Sequence, residues 1–163
     1  MRKFYTEEII PKKSPVLVHY QEGSTKGTFA YTHMHKYIEM LYCTDGNFTI
    51  ILDEQTHTFE KGDFVVINSM ENHTIYSTDE KGGGYICLRV LPEILYFPNE
   101  LDFDYKYITP FLLSSFQRKR VFKRDEIKNS GIKEEMENVL YEDTNRNFGY
   151  ELALKSHASK IML

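Results

Sequence analysis

Between Pro15 and Val90 the chain breaks into eight short runs rich in β-branched and aromatic residues, each closed by turn formers. Strands at this regular spacing restrict the fold to a β-sandwich or barrel. The runs predict strands at Val16 to Gln21, Thr28 to His35, Ile38 to Thr44, Phe48 to Leu52, Gln55 to Glu60, Phe64 to Ile67, His73 to Ser77 and Tyr85 to Val90. Asp45-Gly46-Asn47, Asp53-Glu54 and Lys61-Gly62-Asp63 stand between neighbouring runs at hairpin spacing. Gly82-Gly83-Gly84 reads as a flexible crossing. Up-and-down hairpins or a jelly roll satisfy this order.

At 163 residues, 41% apolar and 27% charged, the chain fits one domain with a core of its own. No apolar run reaches the roughly 18 residues of a membrane span, and the first residues, Met1-Arg2-Lys3-Phe4-Tyr5-Thr6, lack a secretory apolar stretch. The expected compartment is the cytoplasm. Cys43 and Cys87 both fall in predicted strands and are expected to be buried structural thiols. A net charge of -4 argues against direct nucleic-acid binding by these residues.

After Val90 the pattern changes. Pro92 and Pro98 interrupt a predicted loop, Ile108 to Phe116 reads as one short helix, and Arg118-Lys119-Arg120-Val121-Phe122-Lys123-Arg124 is a basic run, read as a solvated connection or edge strand rather than a phosphate-contacting patch. A helix then starts at Ser130 or Asn129, with Glu134 and Glu135 in its first turn and Ile132, Met136, Val139 and Leu140 on one face, and stops near Asp143. Beyond Asn145-Arg146-Asn147, a second stripe of Tyr150, Leu154, Ala158 and Ile161 still runs at Leu163. It predicts a helix cut from a longer protein, and a seam for a second copy rather than a face packed on the barrel. The expected organisation is an arm at 1–14, a barrel at 15–92, a connecting loop with short helix and basic segment at 93–128, and a dimerising helical segment at 129–163.

His33-Met34-His35 followed by Glu39, with His73 in a later strand, carries the chemistry. Residues i and i+2 of a strand share a face, and a closed barrel can bring Glu39 and His73 to the same pocket. Three imidazoles and a carboxylate suit Zn, Ni, Fe, Cu or Mn. The competing reading is a set of buried histidines hydrogen-bonded to carbonyls, with Glu39 as their partner.

Gly27, five residues, His33-x-His35, three residues, Glu39, six residues, Gly46 has the spacing of the first cupin motif, and the chain resembles the cupin superfamily. Gly62 and His73 fit the second motif, while its usual proline, second glycine and late asparagine are replaced by Asn68, Met70 and Ser77. The resemblance implies a mainly β, double-stranded β-helix or jelly-roll barrel followed by two or three C-terminal helices, with His33, His35, Glu39 and His73 as its ligand positions. The longer order, with His33-Met34-His35-Lys36-Tyr37-Ile38-Glu39 leading into Leu41-Tyr42-Cys43-Thr44-Asp45-Gly46, and Phe59-Glu60-Lys61-Gly62-Asp63-Phe64 leading to Asn72-His73, resembles the N-terminal sensing and dimerisation domain of AraC-type transcription regulators.

That resemblance implies a cytoplasmic homodimer without catalytic activity, which binds a small-molecule effector and would meet DNA only through a C-terminal domain outside these residues. Effector binding would shift the helices or the arm. Strand alternation places Phe29, Tyr31, His33 and His35 on one face, and Glu39, Leu41 and Cys43 on another, so Phe29, Tyr31, His33, His35, Glu39, Leu41 and His73 are expected to contact an effector such as a sugar. The alternative is a stand-alone metal-dependent cupin enzyme, a dioxygenase, isomerase or decarboxylase. No separate general base stands out for it: His19, His57 and His157 lie outside both motifs.

Overall fold

The computed structural model describes residues 5–6, 15–23, 25–96, 106–113 and 119–163. Two five-stranded sheets face each other, one in the order β1-β3-β8-β5-β6 and the other β10-β7-β4-β9-β2. The strands are β1 (Tyr5–Thr6), β2 (Val16–Gly23), β3 (Gly27–Met34), β4 (Ile38–Asp45), β5 (Asn47–Leu52), β6 (Gln55–Glu60), β7 (Phe64–Ile67), β8 (His73–Ser77), β9 (Gly83–Val90) and β10 (Val121–Phe122). Pairing is antiparallel except between β1 and β3. This is the two-sheet, mainly β jelly roll that the sequence predicts. Its eight central strands fall where the apolar runs place them, to within two residues.

Period-two alternation gives the second sheet two apolar faces. On β4 the inward Leu41 and Cys43 join Phe48, Ile50, Phe59 and Ile75 in the barrel core. The outward Ile38, Met40 and Tyr42 join a second core beneath the helices. Three helices follow among the described residues: α1 (Arg124–Ile127), α2 (Ile132–Asn145) and α3 (Tyr150–Ile161). Gly131, with φ 78°, precedes α2, and the Ser130 hydroxyl accepts from the Ile132 N–H at 3.2 Å. The cap is therefore shared by two residues, where the sequence points to Ser130 or Asn129 alone. Met136 and Val139 of α2 are fully buried on the sheet, each contributing about 1.5–3 kcal/mol by leaving water.

Tyr150, Leu154, Ala158 and Ile161 do not form the exposed dimer seam that the sequence predicts. Leu154, Ala158 and Ile161 are buried in the chain's own outer core, and Tyr150 packs against its edge. The outer face of the barrel is itself apolar and supplies the partner that the stripe requires. The apolar side chains left in solvent on this hairpin are Tyr141, Phe148 and Leu152.

Two connections differ from expectation. Gly83 opens β9 in close packing rather than forming a flexible crossing: a Cβ there would lie 2.5 Å from the Asp45 carbonyl oxygen and 2.8 Å from Gly46 Cα. The basic run places β10 at the edge of β7, so the sheet includes two residues from beyond the expected barrel boundary. Lys123 Nζ pairs with Asp63 at 2.7 Å, and Lys119 pairs with Glu126. In the expected 108–116 helix, Thr109–Phe111 forms a 3-10 turn, and 114–116 lies outside the described residues. So does the 1–14 arm, apart from the backbone of Tyr5 and Thr6, which pairs with His33 and Met34.

Candidate metal centre

The register explains why four distant residues meet. His33 and His73 are directly paired between β3 and β8, and Glu39 enters β4 across from Arg89 on β9. His35 lies in the short connection between β3 and β4. One candidate ligand atom from each of His33, His35, Glu39 and His73 lies within 4.8 Å of the other three. His35, Glu39 and His73 are buried and His33 is half-buried, so the cluster opens to solvent on the His33 side.

Each imidazole is anchored through the same nitrogen. His33 Nδ1 donates to the Tyr31 carbonyl at 2.7 Å, His35 Nδ1 to the Tyr37 carbonyl at 3.2 Å, and His73 Nδ1 to the Glu71 carbonyl at 2.9 Å. A carbonyl only accepts, so Nδ1 carries hydrogen in all three rings, and a neutral ring keeps its lone pair on Nε2. His73 Nε2 is buried and makes no hydrogen bond, lying 3.5 Å from Glu39 Oε2. His35 Nε2 approaches the same oxygen at 2.6 Å, which requires a proton between them in the metal-free protein.

The electrostatics centre on Glu39, which is 3% exposed. Burial opposes its ionisation, but the hydrogen bond from His35, the close approach of His73 and the Arg89 charge hold its carboxyl well below the ordinary carboxylate range. Arg89 Nε lies 3.3 Å from Oε2, and the Cys87 thiol donates to Oε1 at 3.0 Å. Burial would lower His73, but Glu39 more than compensates and its pKa is raised. His33 is lowered, first by burial and then by the charge of His73. Burial, reinforced by Glu39, pushes the Cys87 thiol well up, and burial pushes Cys43 up to about 12. Both cysteines are free, buried thiols.

Three of the residues expected to touch an effector lie outside this cluster. Tyr31 is 82% exposed. Register shifts between Thr28 and Ala30, and between Ala30 and His33, interrupt the simple alternation on which its inward placement rested. It serves the site through its carbonyl. Phe29 packs edge-on against Phe48, with ring centroids 5.0 Å apart, and Leu41 is fully buried, so both belong to the barrel core. The remaining four, His33, His35, Glu39 and His73, are the ones that the fold brings together.

These residues fit a metal. Two ligands on one ion with bonds of about 2.1 Å stand no more than about 4.2 Å apart, so small side-chain rotations close the set. Tethering of each distal ring nitrogen to a carbonyl is the outer support that metal-binding imidazoles require. The sequence does not reveal the contributions of Tyr31, Tyr37 and Glu71, which act through main-chain oxygens. Nor does it single out Cys87 and Arg89, whose cross-strand relation to Glu39 depends on register.

Residues 16–88 match the family model described as a cupin domain. No curated protein matches the chain. Among solved structures, it is similar to an RmlC-like cupin from Shewanella frigidimarina at 17% identity, covering 48% of this chain and 68% of that one with a TM-score of 0.44. It is also similar to an RmlC-like cupin family protein from Methanocaldococcus jannaschii, at 15% identity, 51% and 77% coverage and a TM-score of 0.45. A predicted oxalate decarboxylase from Thermotoga maritima matches at 18% identity, 46% and 65% coverage and a TM-score of 0.43. Among the described residues, no helix is long and apolar enough to cross a membrane.

Proposed function

We propose that this chain, whose residues 16–88 match the cupin domain model, is a metal-assisted ligand-sensing module in which His33, His35, Glu39 and His73 hold one divalent transition metal. The observation that carries this reading is the common anchoring of the three rings through Nδ1, which leaves Nε2 as the ligand atom of each neutral imidazole. The metal would supply a Lewis-acidic centre for a polar ligand. The chain's own residues supply the rest: Glu39 provides the negative charge, Arg89 and Cys87 orient its carboxylate, and Phe29, Leu41 and Phe48 fill the barrel core. The order of barrel, connection and helices supports placing the module in an AraC-type regulator, as its sensing and dimerising half.

Metal analysis of the purified protein by plasma mass spectrometry tests the centre, beside His73→Ala and Glu39→Ala. The expected result is near one metal per chain in the parent and loss in both variants, with the β-sheet circular dichroism retained. A parent that carries none and takes up none of Zn, Ni, Fe or Mn overturns the reading. The second reading, a metal-dependent cupin enzyme, draws support from the half-buried His33, which leaves the cluster open to a substrate. Incubating the metal-loaded protein with candidate small molecules separates the two: a sensor returns its ligand unchanged after a thermal shift, and an enzyme turns it over.

A further inference from the structure

The loop between β7 and β8 controls two of the four candidate ligands. Its Glu71 carbonyl anchors His73 Nδ1 at 2.9 Å, and the Met70 N–H donates to the His35 carbonyl at 2.8 Å. The Ser69 hydroxyl donates to the Lys36 carbonyl at 2.7 Å, one residue beyond His35. Within the loop, Glu71 Oε2 accepts from the Asn68 N–H at 2.7 Å. Its other oxygen, Oε1, lies 3.4 Å from Arg120 Nε. With the Asn68 amide oxygen turned toward Arg120, it accepts from Nη1 at 3.2 Å and Nη2 at 2.5 Å. Glu71 is 7% exposed and Asn68 is buried. One guanidinium thus braces both ends of the loop, and the Arg120 carbonyl accepts from the Val66 N–H at 2.9 Å, just before it.

Arg120 lies outside the segment that matches the cupin model. Asn68, its partner, stands where the second motif usually has proline, and the Met70 position, usually glycine, keeps a left-handed backbone with φ 61°. Two of the three departures from the motif, Asn68 and Met70, fall in the loop where Arg120 inserts, and the third, Ser77, ends β8. We infer that Arg120 is a positioning residue for the metal centre: by neutralising Glu71 and bracing Asn68, it fixes the carbonyl that aims His73 and the backbone bond that holds His35. The inference rests on the metal reading above. Planarity and multiple donors make arginine the residue for this double contact, which lysine reproduces only in part.

The test is a Co2+ titration of the metal-free protein, followed through the visible d–d bands of the bound ion, in the parent and in Arg120→Met, Arg120→Lys, Glu71→Gln and Lys123→Met. Loss of an outer support of this kind weakens metal binding about 10–100-fold. Arg120→Met and Glu71→Gln are expected to bind Co2+ that much more weakly, with altered bands, and Arg120→Lys to recover part of the loss. Lys123→Met removes the Asp63 tie of the same segment without touching the loop, and is expected to stay within about twofold of the parent. Parent-like affinity and bands in a folded Arg120→Met overturn the inference, as does an equal loss in Lys123→Met. If Arg120→Met does not fold, parent-like binding by Glu71→Gln overturns it. A parent that binds no Co2+ overturns the metal reading, and this inference with it.

Discussion

Replacing Glu39 with Gln removes one charge from the middle of the cluster while keeping its shape. In the metal-free protein Oε2 faces His35 at 2.6 Å, Arg89 Nε at 3.3 Å and His73 at 3.5 Å. Loss of the carboxylate leaves positive charge without its counterion in a site from which water is largely excluded. Breaking a buried pair from one side costs about 3–5 kcal/mol, and the partial exposure of Arg89 favours the lower end. In a chain of this size about 3 kcal/mol lowers the melting temperature by about 6–12 °C.

The pH profile of that loss follows from the two shifted groups. Glu39 is depressed, so its contribution is present above the ordinary value of 4.5 and lost as pH falls through its lower folded value. His73 is raised, so its contribution is complete below 6.5 and lost as pH rises through its folded value. His33 is lowered and works against stability in acid, but it is present in both proteins and largely cancels in the difference. The gap between parent and variant should therefore be widest between pH 4.5 and 6.5 and narrow above it. Thermal melts of the chelator-treated proteins at pH 5.5 and pH 8 check this. A Glu39→Gln protein that melts within about 2 °C of its parent at pH 5.5, or above it, refutes an ionic cluster and leaves a neutral hydrogen-bonded network.

Two further outcomes concern the frame around the site. Leu154→Asp should destabilise the fold by at least about 3 kcal/mol, because it puts a charge into the core between helix and sheet, seen as a lowered cooperative melt. A stable monomer formed from a dimeric parent would instead restore the intermolecular seam. Gly83→Ala should cost about 1–3 kcal/mol, because its methyl group would meet main chain that has no rotamer to move, and a melt unchanged to within about 1 °C would show that the β4–β5 corner yields.

The barrel was legible in the sequence because two signals agree along it: alternating side chains mark the strands, and Gly or Asp turns mark their ends. The four candidate ligands were legible because their spacing resembles the cupin motifs, although His35 lies just past the end of β3, where strand parity no longer applies. Tyr31 was misplaced because a bulge carries no residue signature of its own, and parity arguments fail silently across it. The stripe on α3 was recognised as a buried face, but apolar periodicity says only that something covers it. Whether the cover is a second chain or the back of Met40 and Tyr42 depends on tertiary contacts. Arg120 was hidden among neighbouring cations, and only the position of β10 distinguishes the one that is braced inside from those that reach solvent.

Strand β4 has a consequence for how this chain can change. From Ile38 to Cys43 every residue is buried, with Glu39, Leu41 and Cys43 committed to the barrel and Ile38, Met40 and Tyr42 to the seat of the helices. Such a segment has no idle face on which substitutions accumulate harmlessly. A single inserted residue would exchange the two sets, turning the carboxylate out under the helices and a methionine into the histidine cluster. Lineages of this fold are therefore expected to vary in the turns on either side while holding the length of this strand fixed.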